Sequence, residues 1–101
     1  MILRTLQLAD DEALEAATWY DERRPGLGDD FLDAYAAALE VIESHPRRYA
    51  RLETTRSPRE FRRYLLRRFP YAIIYEILAD ELVVLAVAHS SRRPNFWRRR
   101  T

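Results

Sequence analysis

Residues 61–93 read FRRYLLRRFPYAIIYEILADELVVLAVAHSSRR, and their pattern is the strongest structural signal in the sequence. Its apolar runs predict three strands, Arg62–Phe69, Tyr71–Leu78 and Leu82–His89, which are separated by Pro70 and by a polar turn. The second and third runs are almost continuously apolar, which is typical of strands that are covered on both faces. The stretch therefore predicts a buried antiparallel sheet whose last strand runs out into a basic segment.

The first half of the chain predicts a short strand followed by two helices. Ile2–Leu8 is rich in apolar residues and is predicted to be a strand. Asp10 is then expected to cap a helix that extends to about Arg24, because alanine and tyrosine side chains recur there at helical spacing. The sequence Pro-Gly-Leu-Gly at 25–28 predicts a tight corner, and a second helix is expected over residues 29–45.

In chain order these elements predict a single domain over residues 1–101 with the order βααβββ. This is an α+β fold, an antiparallel sheet of about four strands with an N-terminal helical hairpin packed on one face. Residues 46–60 show no clear period and are predicted to be a loop. The helical hairpin covers one face of the sheet, and the pattern leaves open what covers the other.

Charge is unevenly distributed along the chain. Residues 1–45 contain three arginines and eleven acids, a balance of −8, whereas residues 46–101 contain fourteen arginines and five acids, a balance of +9. The sheet and its tail are therefore expected to carry a basic functional face. The lack of cysteine excludes disulfides and thiolate metal sites. No apolar run approaches the roughly 20 residues that span a bilayer, and no signal-peptide pattern is seen, so a cytoplasmic protein without a membrane partner is expected.

Four groups of residues follow one another along nearly the whole chain. They are Trp19-Tyr20-Asp21, Pro25-Gly26-Leu27-Gly28 with Phe31-Leu32, Arg62 to Tyr71, and Val87 to Trp97. Together they resemble the RelE/ParE superfamily of type II toxin–antitoxin toxins, whose fold agrees with the βααβββ order. The long acidic helical hairpin and the Phe-Pro-Tyr strand are more similar to the ParE branch, which includes plasmid stabilisation proteins, than to the RelE branch.

The resemblance implies a protein toxin that inhibits DNA gyrase, rather than an enzyme, and that is neutralised by a cognate antitoxin. The antitoxin is expected to lay an acidic and apolar C-terminal segment across the groove between helical hairpin and sheet, which gives a toxin–antitoxin hetero-oligomer. The alternative is a RelE-like ribosome-dependent mRNA endoribonuclease. The chain departs from that branch because it has no lysine, and because Phe96-Trp97 stands where a catalytic tyrosine would lie. A third possibility is an inert relative that only binds an antitoxin.

Candidate binding residues lie along the basic half of the chain. Two-residue alternation along a strand places Arg63 and Arg67 on one face and Arg62 and Arg68 on the other. Either pair could border a phosphate or carboxylate site, or could keep an exposed strand edge soluble. The candidate set for target or antitoxin binding is Arg62, Arg63, Arg67, Arg68, Tyr71, His89, Arg92, Arg93, Trp97 and Arg98.

A nuclease would need a proton-transfer group, and His89 is the candidate, with Arg63 and Arg92 as further candidates for catalysis. The charges of Arg92 and Arg93 are expected to disfavour protonation of the imidazole, which would leave a neutral ring that can accept a proton. The structural alternative is a histidine that makes a hydrogen bond at the end of the sheet.

The tail, residues 92–100, interleaves aromatic and basic side chains, a pattern suited to stacking on bases and pairing with phosphates. The structural alternative is that Trp97 anchors the tail on the sheet while the last three arginines are solvated. The carboxylates, Glu76 among them, show no paired arrangement, and the acidic helices are expected to be solvated. No phosphate loop, metal-ligand cluster or hydrolase motif is present, so neither a cofactor nor a metal is expected.

Overall fold

Two helices cover one face of a five-stranded sheet in the computed structural model, which describes residues 1–52 and 58–101. The elements in chain order are β1 (Ile2–Thr5), α1 (Gln7–Arg23), α2 (Leu27–Ser44), β2 (Ala50–Arg51), β3 (Glu60–Leu65), β4 (Tyr71–Ile77), β5 (Glu81–His89) and a 3₁₀ helix (Phe96–Arg100). This arrangement confirms the predicted α+β fold with its helical hairpin. The strand β2 lies inside the predicted loop, because two residues are too few to show a period.

The corner between the helices forms as predicted. Gly26 has a φ of 92°, in the left-handed region that glycine adopts without strain. The carboxylate of Asp21 accepts hydrogen bonds from the backbone N–H of Gly26 at 2.9 Å and of Gly28 at 3.2 Å. A Cβ atom at Gly28 would lie 2.5 Å from the carbonyl oxygen of Ala17, so the absence of a side chain lets the two helices touch there.

The predicted helix cap at Asp10 is wrong. Helix α1 begins at Gln7, directly after β1, and Asp10 lies in its first turn. The carboxylate accepts hydrogen bonds from the hydroxyl of Thr5 at 2.9 Å and of Tyr35 at 3.1 Å. Burial, together with the negative charge of Asp10, raises the pKa of Tyr35. The carboxylate thus joins the end of β1 to α2 instead of capping its own helix.

The strand order is β1-β5-β4-β3-β2, and the sheet is mixed rather than wholly antiparallel. The strands β3, β4 and β5 pair antiparallel, as predicted, because short connections join each to the next, and the unpredicted β2 pairs antiparallel with β3. By contrast, β1 runs parallel to β5, with Ile2 opposite Glu81 and Thr5 opposite Val84. The helical hairpin separates β1 from the other strands in sequence, and a crossover of this length permits a parallel pair.

The sheet carries a separate hydrophobic cluster on each face. The larger cluster lies between sheet and helices and includes Phe31 and Ile73, whereas a smaller cluster on the opposite face joins Phe61 to Trp97. The ring of Trp97 is 3% exposed and its centroid lies 4.8 Å from that of Phe61. The C-terminal segment (residues 92–101) therefore covers part of the second face of the sheet, and the predicted anchoring role of Trp97 is confirmed.

A register shift in β5 fits this strand to both clusters. Between Ile74 and Tyr75 the pairing with β4 slips by one residue, which leaves Leu85 without a partner on β4. Because of this extra residue, Leu85 and Ala86 both contribute to the smaller cluster, although they are neighbours in sequence. The bulge lies next to the C-terminal segment, where β5 continues beyond the end of β1.

Candidate partner-binding groove

A groove of about 520 Å³ lies on the sheet face that carries the smaller cluster. It is lined by Ala72 and Ile74 of β4, by Leu65 of β3, and by Phe96 and Trp97 of the C-terminal segment. Leu65 is 60% exposed, although it is a large apolar side chain at the margin of a core. An uncovered apolar surface of this kind is typical of a site that binds another molecule.

The groove is bordered by positive charge. Arg63 from β3 and Arg92 and Arg93 from the C-terminal segment line it together with His89, whereas its described lining contains no aspartate or glutamate. Three of the predicted arginines and His89 are thus brought together around an apolar floor. This combination is complementary to a ligand that is both apolar and acidic.

Aromatic rings contact two of the predicted arginines, Arg92 at the border of the groove and Arg98, which does not line it. The guanidinium carbon of Arg92 lies 3.7 Å from the centroid of the Phe96 ring, and Arg92 also contacts the carboxylate of Glu12 at 3.5 Å. The guanidinium carbon of Arg98 lies 5.1 Å from the centroid of Phe61. The cation–π contact limits the freedom of Arg92, which lowers the entropy lost when a partner binds in the groove.

His89 ends β5 at one end of the groove, with its ring edge-on to that of Tyr71 at 5.1 Å between centroids. Its Nδ1 accepts a hydrogen bond from the backbone N–H of Ser91 at 3.0 Å. An acceptor at Nδ1 requires the lone pair there, so the neutral ring carries its proton on Nε2. Burial raises the pKa of Tyr71, with Tyr20 and Glu15 adding to the effect. In the neutral ring of His89, the lone pair of Nδ1 therefore already accepts the hydrogen bond from Ser91.

Arg62 is not brought to the groove. It lies opposite Tyr75 in the sheet, on the face that packs toward the helices, and only 14% of its side chain is exposed. Its guanidinium donates to two backbone carbonyls ahead of β2 at 2.6 and 3.1 Å and contacts Glu60 at 2.7 Å. Burial alone would raise the pKa of Glu60, but hydrogen bonds and charge from Arg62 and Arg47 lower it. Arg62 thus stabilises the loop that leads into β2.

Arg67 and Arg68 also lie outside the groove. Both follow the end of β3 at Leu65, so strand alternation does not govern where their side chains point. Arg68 lies 3.5 Å from the carboxylate of Asp30 in α2, with 61% of its side chain exposed. Arg67 is exposed and shares a smaller cavity of about 330 Å³ with Arg63.

The expected groove between helical hairpin and sheet is present as a second cleft of about 560 Å³. Its wall on α1 carries Glu12, Glu15 and the half-exposed Trp19, and His89 and Arg92 form part of the other side. Its charge is therefore mixed, with the acidic groups on the helix. The two clefts meet at His89, at the same end of the sheet.

Two partly buried ion pairs were not predicted from the sequence. Arg100 makes two hydrogen bonds to Glu12 at 2.8 and 3.0 Å, and Arg59 makes two to Glu76 at 2.7 and 2.8 Å. Glu76 is 3% exposed and Arg100 has 14% of its side chain exposed, so the expectation of a solvated arginine tail is wrong at Arg100. The two-residue period of β4 places Glu76 on the face of Ile74, and this signal could have indicated its burial.

The part of the chain that the structure describes contains no group of three or more histidine, aspartate or glutamate residues that could hold a metal ion. Nor is any helix in residues 1–52 and 58–101 long and apolar enough to cross a membrane.

Comparison with known proteins assigns the chain to a family. The sequence profile of the family described as "ParE toxin of type II toxin-antitoxin system, parDE" matches residues 3–94. A chain of the solved structure "Chromosomal ParDE TA system from P. aeruginosa" is similar in fold, with a TM-score of 0.64 at 16% sequence identity. The match covers 88% of this chain and 95% of that one. A search of curated proteins finds no match to this chain.

Proposed function

The chain belongs to the ParE toxin family of type II toxin–antitoxin systems, and on this premise we propose that it is a protein toxin that inhibits DNA gyrase and is neutralised by a cognate antitoxin. The observation that carries the proposal is the groove, an apolar surface bordered by three arginines on a small protein. It is a surface for binding another macromolecule.

The groove, rather than the cleft beside α1, is the proposed site for the antitoxin. An acidic and apolar segment would place its apolar side chains against Ile74 and Trp97 and its carboxylates beside Arg63 and Arg93. In the other cleft the same segment would meet the carboxylates of α1, which disfavours it. The P. aeruginosa structure is of a ParDE system, which supports a toxin–antitoxin complex here.

The geometry of His89 supports a protein inhibitor over a nuclease. A general base must offer a lone pair to the proton that it removes. In the neutral ring of His89 that lone pair already accepts the N–H of Ser91 at 3.0 Å, and the free nitrogen, Nε2, carries a proton. Removal of a 2′-hydroxyl proton would first require the hydrogen bond to Ser91 to break.

The ribosome-dependent endoribonuclease remains the second candidate because one observation favours it. His89, Arg63 and Arg92 line the same groove, so a proton-transfer group and two charge-stabilising groups lie around one space. Their joint placement is what cleavage of an RNA strand would use.

A pair of assays with purified protein separates the two candidates. We expect gyrase to accumulate cleaved plasmid DNA when the protein is added, while mRNA on translating ribosomes stays intact. His89→Asn keeps a side-chain acceptor for the Ser91 N–H but cannot act as a base, so its effect on gyrase should stay within about threefold of the parent protein. Codon-specific mRNA cleavage that is lost in His89→Asn by roughly 10²–10⁴ would establish the nuclease instead.

The groove is tested by charge removal with a matched control. Arg63→Ala with Arg93→Ala removes two arginines from its border, and Arg24→Ala with Arg48→Ala removes two exposed arginines that do not line it. Binding to the cognate antitoxin is measured by stopped flow at several salt concentrations. We expect about tenfold slower association and a shallower salt dependence for the groove variant only, because steering depends on local charge. Equal slowing in both variants would refute this site.

A further inference from the structure

The edge of β5 is uncovered where β1 ends. Pairing with β1 stops at Val84, and no described strand continues beside residues 85–89 on that side. Side chains take the place of a strand there. The carboxylate of Glu12 accepts the backbone N–H of Val87 at 3.0 Å, and the guanidinium of Arg100 donates to the carbonyl oxygen of Leu85 at 2.9 Å. One acceptor and one donor thus satisfy the backbone groups that a neighbouring strand would otherwise satisfy.

The same two side chains are bound to each other. Arg100 donates to both carboxylate oxygens of Glu12, at 2.8 and 3.0 Å, and about 13–14% of each side chain is exposed. Glu12 lies on α1, and Arg100 follows Phe96 and Trp97 in the C-terminal segment. The pair therefore connects a helix on one face of the sheet to the segment that covers the other face.

We propose that Glu12 and Arg100 form a latch, a side-chain substitute for a strand beside residues 85–87 of β5, which holds the C-terminal segment in place as a wall of the groove. Glu12 does not line the groove. It is a positioning residue that acts through Arg100 on Phe96 and Trp97. The second cation that reaches Glu12, Arg92, lies at 3.5 Å and stacks on Phe96, so the latch holds this wall at two points.

The latch also predicts which of the two positions must carry the acid and which the base. Val87 offers a donor and Leu85 an acceptor, so the acid must stand at position 12 and the base at position 100. A simple ion pair would tolerate exchange of its two members. After exchange, a guanidinium at position 12 would meet the Val87 N–H with another donor, and a carboxylate at position 100 would meet the Leu85 carbonyl with another acceptor. Exchange should therefore not restore the segment.

Site-resolved trypsin cleavage tests the latch on the whole chain. Cleavage after Arg98 and Arg99 reports opening of the C-terminal segment, and cleavage after Arg23 reports unfolding of α1. For Glu12→Gln we expect cleavage after Arg98 and Arg99 to be at least tenfold faster, while cleavage after Arg23 changes less than threefold, because proteolysis follows the population of the open form. The matched control is Glu15→Gln on the exposed side of the same helix, which should leave all rates within twofold.

Two outcomes would overturn the latch. In one, cleavage after Arg98 and Arg99 rises in Glu12→Gln only in proportion to cleavage after Arg23, which would mean general destabilisation. In the other, Glu12→Arg combined with Arg100→Glu restores the parent rates, which would mean an ordinary ion pair.

Acrylamide quenching of Trp97 gives a second readout, with Trp19→Phe as the background so that a single indole remains. We expect the quenching constant to at least double in Glu12→Gln. An unchanged constant would show that the wall of the groove does not depend on the latch. Neither readout needs an antitoxin or gyrase, so failure of the latch and failure of the proposed function are distinguishable; only the effect of the latch on partner binding rests on that function.

Discussion

Replacing Trp97 by alanine should remove much of the stability that the second face of the sheet provides. The indole is 3% exposed and packs against Phe61 in a cluster with Ile74, Val83 and Leu85. Truncation of a buried tryptophan to alanine costs about 3–5 kcal/mol, and the lower value applies where the surroundings can collapse into the space. The 3₁₀ helix that carries Trp97 is short and lies at the surface, so we expect about 3 kcal/mol. The total free energy of unfolding of a small domain is only about 5–15 kcal/mol.

Urea unfolding followed by far-ultraviolet circular dichroism measures this loss without relying on the fluorophore that is removed. The expected loss of about 3 kcal/mol corresponds to a Tm lower by at least about 12 °C, at roughly 4–8 °C per kcal/mol for a domain of this size. Trp19→Ala is the control, since this residue is 49% exposed and its ring contacts the guanidinium of Arg23, at 3.4 Å, and the edge of Tyr20. A cation–π contact at such a site is worth about 0.5–1 kcal/mol. If both substitutions cost the same, within about 1 kcal/mol, the C-terminal segment does not cover the sheet as described.

Three further predictions test the packing of the helices and the buried polar groups. Gly28→Ala should lower the free energy of unfolding in urea by about 1–3 kcal/mol, because the new Cβ would lie 2.5 Å from a carbonyl oxygen of α1. Gly26→Ala should lower it by only about 1 kcal/mol, the cost of a non-glycine residue in the left-handed region. A larger loss for Gly26→Ala than for Gly28→Ala would contradict the helix contact. Burial raises the pKa of Tyr75 to about 12, whereas the pKa of an unfolded tyrosine is about 10. The free energy of unfolding should therefore stay constant up to about pH 10 and fall between about pH 10 and 12. Tyr75→Phe should make that fall shallower, and an unchanged slope would contradict the prediction. Arg59→Ala leaves the buried carboxylate of Glu76 without its main partner and should lower the free energy of unfolding by about 3 kcal/mol. Adding Glu76→Leu to this variant should restore most of the lost stability. A double variant no more stable than Arg59→Ala would contradict this prediction.

Much of the fold follows from local patterns in the chain. The helical spacing of the alanines predicts α1, the Pro-Gly-Leu-Gly corner predicts the turn into α2, and the apolar runs after residue 60 predict β3, β4 and β5. Each of these elements depends on residues close in sequence, which is why periodicity reveals them. The predicted cap at Asp10 is wrong because its carboxylate binds a group that is distant in sequence, the hydroxyl of Tyr35, 25 residues further along the chain.

Only part of the candidate site could be predicted from the sequence. Strand alternation correctly separates Arg62 from Arg63, but it cannot tell which of the two faces meets the helices and which meets the groove. Alternation also fails for Arg67 and Arg68, because β3 ends before them. Arg92 and Arg93 reach the groove because Trp97 anchors the segment that carries them.

Local patterns along the chain were enough to predict both helices, the strands β1, β3, β4 and β5 and the segregation of charge, because these are properties of neighbouring residues or of composition. The toxin family was indicated separately, by the resemblance of four groups of residues spread over nearly the whole chain. The parallel pairing of β1 with β5, the open edge of β5 beyond Val84 and its closure by Glu12 and Arg100 are visible only in the assembled fold. The physical reason is distance along the chain. Glu12 and Arg100 lie 88 positions apart in the sequence, and no local pattern specifies a hydrogen bond between groups that meet only after the sheet has assembled.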